Sequence, residues 1–203
     1  PNVKLTINTL GDKQVREDYR EALINFLKPH YDELSSDSQE RMYRNPLRVL
    51  DSKDAGDQKI VAQAPSILDY LDEESQNYFD QVQSLLKELG IDYEIDTNMV
   101  RGLDYYNHTI FEIMSDSPVF GGGYTTVCAG GRYNGLINQL GGPEEGGIGF
   151  GMGVERLMLL LQQENPEFAP QDQLDVFFAS ANEAGDNLAF KILNQIRDKG
   201  VVA

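Results

Sequence analysis

The chain has 203 residues, 40% of them hydrophobic, with 17 Lys and Arg against 33 Asp and Glu and a formal net charge of -16. That is enough apolar material for a core in one or two domains, and too acidic for a general nucleic-acid coat, although a local basic groove is still allowed. One cysteine, Cys128, and two distant histidines, His30 and His108, exclude an internal disulfide, a zinc cluster and a Cys/His nucleophile pair.

Val3, Leu5 and Ile7 alternate with polar residues and predict a half-buried strand closed by Gly11 and Asp12. Val15, Tyr19, Ala22, Leu23, Phe26 and Leu27 fall at helical spacing, stopped by Lys28-Pro29. Further helices are predicted from about Ser36 to Arg44, before Asn45-Pro46, and from Glu74 to Leu89, before Gly90. From Ile91 the period becomes two, and Thr109 to Ser115 and Tyr124 to Ala129 read as antiparallel neighbours across a glycine-rich loop. Ile148 to Met152 is a further strand, leading through Gly153 into a helix, Val154 to Gln163, apolar nearly all round and so expected to be packed inside. Asn165-Pro166 through Pro170-Gln171 reads as a linker. Beyond it, Val176 to Ala179 reads as a strand and Leu188 to Ile196 as a helix before Gly200, the opening of an α/β unit whose next strand would begin near Val201. A start at Pro1 without Met and a stop at Ala203 soon after a helix suggest ends cut from something longer. No apolar run reaches the roughly 18 to 20 residues of a membrane span, and Pro1 to Lys4 lacks the apolar heart of a secretion signal, so a cytoplasmic location is expected.

Three segments could carry chemistry. Arg101-Gly102-Leu103-Asp104-Tyr105-Tyr106 joins a forked cation, suited to carboxylate or phosphate, to two flat rings with hydroxyl tips, suited to a small polar ring. The same residues would also serve as an ion pair beside two half-buried tyrosines. Gly130-Gly131-Arg132-Tyr133 lets backbone approach a ligand, or simply turns the chain from strand to helix after Ala129. Gly147 to Gly153 alternates glycine with apolar residues, so that a planar group could lie flat on one face, with Arg156 in the next helical turn within reach of a phosphate. Close helix-on-strand packing is the alternative use of those glycines. The spacing fits neither a dinucleotide fingerprint nor a P-loop. Cys128 reads as a small buried strand residue and His108 as a partly exposed strand residue.

In this order the segments resemble the histidyl-tRNA synthetase family of class II synthetases, over essentially the whole chain. Arg101 to Asn107 is similar to its first histidine signature, Thr126 to Tyr133 to its second, Gly149 to Arg156 to class II motif 3, and Asn45 to Lys53 to a stretch of its helical insertion domain. The resemblance implies an α+β fold: a partial antiparallel catalytic sheet with a helical insertion and the start of an α/β anticodon-binding domain. It divides the chain into a core strand at 1–14, the insertion at 15–97, the catalytic core at 98–165 and the anticodon-binding start at 172–203. It implies histidine activation by ATP to histidyl-adenylate, then transfer to tRNA(His), by a protein that is a homodimer at full length. Arg101 would contact the α-phosphate and the substrate carboxylate, with Tyr105, Tyr106, Tyr133, Gly130 and Gly131 forming the histidine pocket. Arg156 would hold the ATP tail, with Gly151 and Gly153 leaving room for the nucleotide. Magnesium would accompany ATP as substrate, with no permanent metal or organic cofactor. Motifs 1 and 2 of the family are missing, so the isolated chain is expected to have little or no adenylation activity. Two alternatives are a catalytically silent paralogue, such as the regulatory subunit of ATP phosphoribosyltransferase, and a tRNA-contacting module without chemistry of its own centred on residues 15–90.

Overall fold

The computed structural model describes residues 2–100, 102, 104–168, 175–180 and 182–200, without the side chains of 183, 184, 186, 187, 190 and 194. It divides into two compact units, residues 1–160 and 161–203. The first is built on a five-stranded sheet in the order β2-β1-β3-β4-β5. Its strands are β1 (Val3–Thr9), β2 (Glu94–Ile95), β3 (Asn107–Ser115), β4 (Thr125–Arg132) and β5 (Ile148–Met152). All pairs are antiparallel except β1 with the short β2, which is parallel.

Between β1 and β2 the chain forms α1 (Lys13–Leu27), α2 (Ser36–Arg44), α3 (Leu47–Leu50), α4 (Ala55–Val61) and α5 (Glu73–Glu88). Side-chain oxygens start most of them: Asp12 accepts from Val15 N–H, Ser35 from Ser38 N–H, Asp54 from Gly56 N–H and Asp72 from Ser75 N–H. The chain enters α1 through Gly11 at φ +61°, where a Cβ would lie 2.3 Å from Val15 Cγ1. Leu23, Leu27, Met42 and Val49 are fully buried, and they belong to one apolar cluster with Leu10, Met99, Tyr106 and Ile110 from the sheet side. The helical segment and the sheet therefore share a core, and neither buries its apolar face alone.

A polar knot ties the helices together. Asp57 is fully buried on α4 and accepts from Ser35 N–H at 2.8 Å and from the hydroxyls of Ser35, Ser38 and Ser52 at 2.7, 2.6 and 2.6 Å. Burial pushes its carboxyl up, but the hydrogen bonds outweigh that and hold it down, from 3.8 to about 2.

Several expectations are corrected. β1 is not half-buried: Thr6, Ile7, Asn8 and Thr9 are all buried, because an interior strand covered on both faces loses its alternation. β4 runs on through Gly130 and Gly131 to Arg132 instead of turning after Ala129, and only then comes the short α6 (Leu136–Gln139). The helix α7 (Val154–Glu164) is not packed inside: Leu160 alone among its described residues is buried, and Val154 is 63% exposed. It follows β5, which ends the sheet order and is itself exposed at Phe150 and Met152, so little lies against it. In the second unit α8 (Glu183–Arg197) is present, with Gly200 after it at φ +79°. The run Val176 to Ala179 has no ladder partner among the described residues and is not a strand, since an apolar run becomes one only by pairing. The strand expected near Val201 and the linker residues Pro170 and Gln171 lie outside the described residues.

Two stability outcomes follow. Gly11→Ala is expected to cost on the order of 2 kcal/mol, from the left-handed backbone and the Val15 clash together, read as a lower denaturation midpoint. Asp57→Ala, which leaves four serine donors, two of them the buried hydroxyls of Ser38 and Ser52, without their acceptor, is expected to cost on the order of 3 kcal/mol. Because the Asp57 carboxyl sits lower folded than unfolded, its contribution is complete above pH 3.8 and fades as pH falls toward 2. Acid melting curves should therefore show wild type losing its advantage over Asp57→Ala in that window.

Candidate functional site

Register decides which side chains share a face of the sheet. Asn8 lies opposite Ile110, Ile110 opposite Gly131 and Gly131 opposite Gly149. Two residues along each strand, Thr6, Glu112, Ala129 and Gly151 form a second row. Alternate strand residues point the same way, so both rows lie on one face. From β3 to β5 the side chains shrink along each row, Ile110 giving way to Gly131 and Gly149 and Glu112 to Ala129 and Gly151, and the face is a trough that deepens to bare backbone.

Three tyrosines wall one end. The rings of Tyr105 and Tyr106 are 4.5 Å apart, with their hydroxyls at 3.5 Å, and Tyr133 stands edge-on to them at 5.7 and 6.4 Å. These are favourable aromatic geometries that leave the hydroxyls as polar tips. Glycines make room for the wall. A Cβ on Gly131 would lie 3.0 Å from Tyr106 Cδ1, on Gly147 2.2 Å from Tyr133 Cε2 and on Gly149 3.1 Å from the Tyr133 hydroxyl. Tyr133 is fixed at both ends: its N–H donates to Gly147 O at 2.8 Å and its hydroxyl to Ile148 O at 3.3 Å. The residues that follow Tyr106 and Tyr133 are bridged in both directions, Asn107 Nδ2 donating to Asn134 O at 2.7 Å and Asn134 N–H to Asn107 Oδ1 at 2.9 Å.

The planar group expected to lie on the alternating glycines is thus Tyr133 over Gly147 and Gly149. A Cβ on Gly151 would meet nothing within 4 Å, so the floor is open there. Gly131 joins the tyrosine face; Gly130 sits on the opposite one, where a Cβ would come 2.7 Å from Phe150 Cα and force β4 and β5 apart. At the other end of the trough Thr126 Oγ1 donates to Glu112 Oε2 at 2.9 Å. Arg156 donates to the Thr126 carbonyl, its side chain folded over Gly153, whose Cβ would lie 3.3 Å from Arg156 Cδ. Beside the Thr6–Glu112 row a cleft of about 430 Å³ opens toward Lys53, Asn98 and Met99, a volume suited to a small ligand. Arg101 lies outside the described residues.

Glu112 and Thr126 were not among the sequence candidates. The signal was a carboxylate between Phe111 and Ile113 inside a predicted strand, a place where a charge is costly without a partner. His108 is half-buried at a bulge in β3 with φ +49°, its ring 5.1 Å from Tyr78. Burial and the nearby Arg132 hold its pKa below the usual histidine value, against the opposing pull of Asp12, Glu74 and Asp72.

The family model described as histidyl-tRNA synthetase matches residues 3–157. The chain belongs to that family. A histidine-tRNA ligase of Lactiplantibacillus plantarum is 58% identical over 202 residues, covering 100% of this chain and 47% of the relative. One from Limosilactobacillus fermentum is 55% identical with the same coverage. Among solved structures, apo histidyl-tRNA synthetase of S. aureus superposes with a TM-score of 0.64 at 44% identity, over 99% of this chain and 48% of that one. The chain spans about half the length of the curated relatives it matches, and its mixed fold with a largely antiparallel sheet is that of the family. No helix among the described residues is long and apolar enough to cross a membrane.

Gly149→Ala and Gly151→Ala separate the two uses of the glycine run. Gly149→Ala should displace Tyr133 and lower the melting temperature. Gly151→Ala, whose Cβ would meet nothing within 4 Å, should leave the melting temperature unchanged, as read by thermal denaturation of both variants.

Proposed function

We propose that this chain is the middle part of a synthetase that activates histidine with ATP and passes it to tRNA(His), and that the trough is one wall of its active site. The observation that carries the reading is the tyrosine wall beside the open Gly151 floor, on a chain of this family. Histidine would stand against Tyr105, Tyr106 and Tyr133, its imidazole meeting aromatic faces and phenol hydroxyls. The Gly130–Gly131 backbone would close that pocket. Its carboxylate oxygen attacks the α-phosphorus of ATP, the bond to the bridging oxygen breaks, and pyrophosphate leaves with the electron pair. Charge builds on the phosphoryl oxygens during that step, and Arg101 is the group assigned to meet it. Arg156 would hold the triphosphate tail, with Gly151 and Gly153 leaving the nucleotide its space.

Magnesium would enter with ATP. Among the described residues no three His, Cys, Asp or Glu side chains converge as a metal cage. A magnesium ion held mostly by phosphate and water asks only for one or two carboxylates, which Glu112 on the trough could supply. The synthetase would be cytoplasmic and, at full length, a homodimer. Identities of 55 to 58% to histidine-tRNA ligases favour this reading over a regulatory paralogue.

ATP-pyrophosphate exchange with each amino acid tests the proposal. The full-length protein is expected to exchange with histidine alone, and this chain by itself to stay near background. Exchange with a different amino acid would overturn the assignment, and exchange by this chain at the full-length rate would overturn the view that it holds only one wall. Within the full-length protein Arg156→Lys is expected to raise the KM for ATP about tenfold, since a lysine keeps the charge but loses the fork.

A further inference from the structure

The segment carrying Tyr105 and Tyr106 precedes β3, and three side chains of the helical unit hold it from outside the sheet. Arg16 on α1 places one guanidinium nitrogen 2.9 Å from the Asp104 carbonyl and 2.6 Å from the Tyr106 carbonyl. Arg48 on α3 donates to the Gly102 carbonyl. Asn45, in the turn between α2 and α3, donates from Nδ2 to Asp104 Oδ1 at 2.7 Å. The carbonyls of residues 102, 104 and 106, which in a strand would be fixed by a ladder, are fixed here by two arginines instead. An arginine is suited to this because its planar fork is pre-organised and loses little freedom per hydrogen bond made. The anchors themselves are rigidly placed: α1 and α3 bury Val15, Tyr19, Leu47, Val49 and Leu50 in the core.

We infer that Arg16, Asn45 and Arg48 are positioning residues of the amino-acid pocket: the helical unit sets where the Tyr105 and Tyr106 rings stand, and through them the fit of the substrate side chain. The inference rests on the reading of the trough as the site that activates histidine. A binding site tuned by rings at van der Waals distance loses affinity when those rings move by an ångström, even if the groups that hold them make no contact with the substrate.

The test uses the full-length protein and histidine-dependent pyrophosphate exchange. Arg48→Met is expected to raise the KM for histidine on the order of tenfold or more while the KM for ATP stays within about twofold. Asn45→Asp sets a carboxylate against Asp104 and should do the same. Adding Asp104→Asn to it rebuilds the hydrogen bond with donor and acceptor exchanged, and should return the KM for histidine to within about threefold of wild type. An unchanged KM for histidine in Arg48→Met and Asn45→Asp would overturn the inference. So would an equal rise in the KM for ATP, which marks a general structural loss, or a double variant no better than Asn45→Asp alone. A wild-type protein without histidine-dependent exchange would sink the proposed function instead. Amide hydrogen exchange across 102–107 then decides the inference: faster exchange in both single variants supports it, and unchanged exchange overturns it.

Discussion

A tyrosine ring can lie against the backbone of a β-sheet only where the sheet has no side chains beneath it, and here that condition is met by the facing pair Gly131 and Gly149. The rest of the site depends on this. The two extra residues in β3 at His108 and Thr109 bring Ile110 opposite Gly131, and the reciprocal Asn107–Asn134 bridge holds the bases of the two tyrosine-bearing segments together. A bulge costs ladder bonds and a left-handed residue, and such features concentrate beside functional sites where a side chain must be re-aimed. The run of glycines is thus divided in function along its length, with Gly147 and Gly149 under Tyr133 and Gly151 facing open space.

The helical segment is more than a decoration on the sheet. Its apolar side chains complete the core that Ile110 and Tyr106 begin, and its arginines reach the loop before β3. The Asp57 knot gives that segment a single arrangement, because a buried carboxylate with four donors has no equivalent partner set elsewhere in the helices.

The sequence made some features readable and hid others for physical reasons. The helix from about Ser36 to Arg44 and the strand Ile148 to Met152 were readable because Asn45-Pro46 stops the one and Gly153 follows the other. α3 and α4 were not resolved within the helical stretch, since four and seven residues are too short to show a period. β1 concealed its burial because Thr6, Asn8 and Thr9 are polar residues placed inside a covered strand. Tyr105, Tyr106, Tyr133 and Gly131 were legible as a set, since the resemblance supplied which segments meet. Glu112 and Thr126 were not, because a strand register has to be known before residues on neighbouring strands can be placed side by side. The same holds for Arg16 and Arg48, whose partners are main-chain atoms with no sequence signature.

β5 has one glycine face and one apolar face, and Ile148, Phe150 and Met152 on the latter are exposed at the end of the sheet order. A short end strand of that composition offers its edge and its apolar face to a further element, and the chain spans only about half the length of the relatives it matches. The loop that feeds it carries Pro143, Glu144 and Glu145, all exposed. A proline and two carboxylates beside an apolar strand disfavour its pairing with further copies. The net charge that disfavours a general nucleic-acid coat also sets copies of the chain to repel one another.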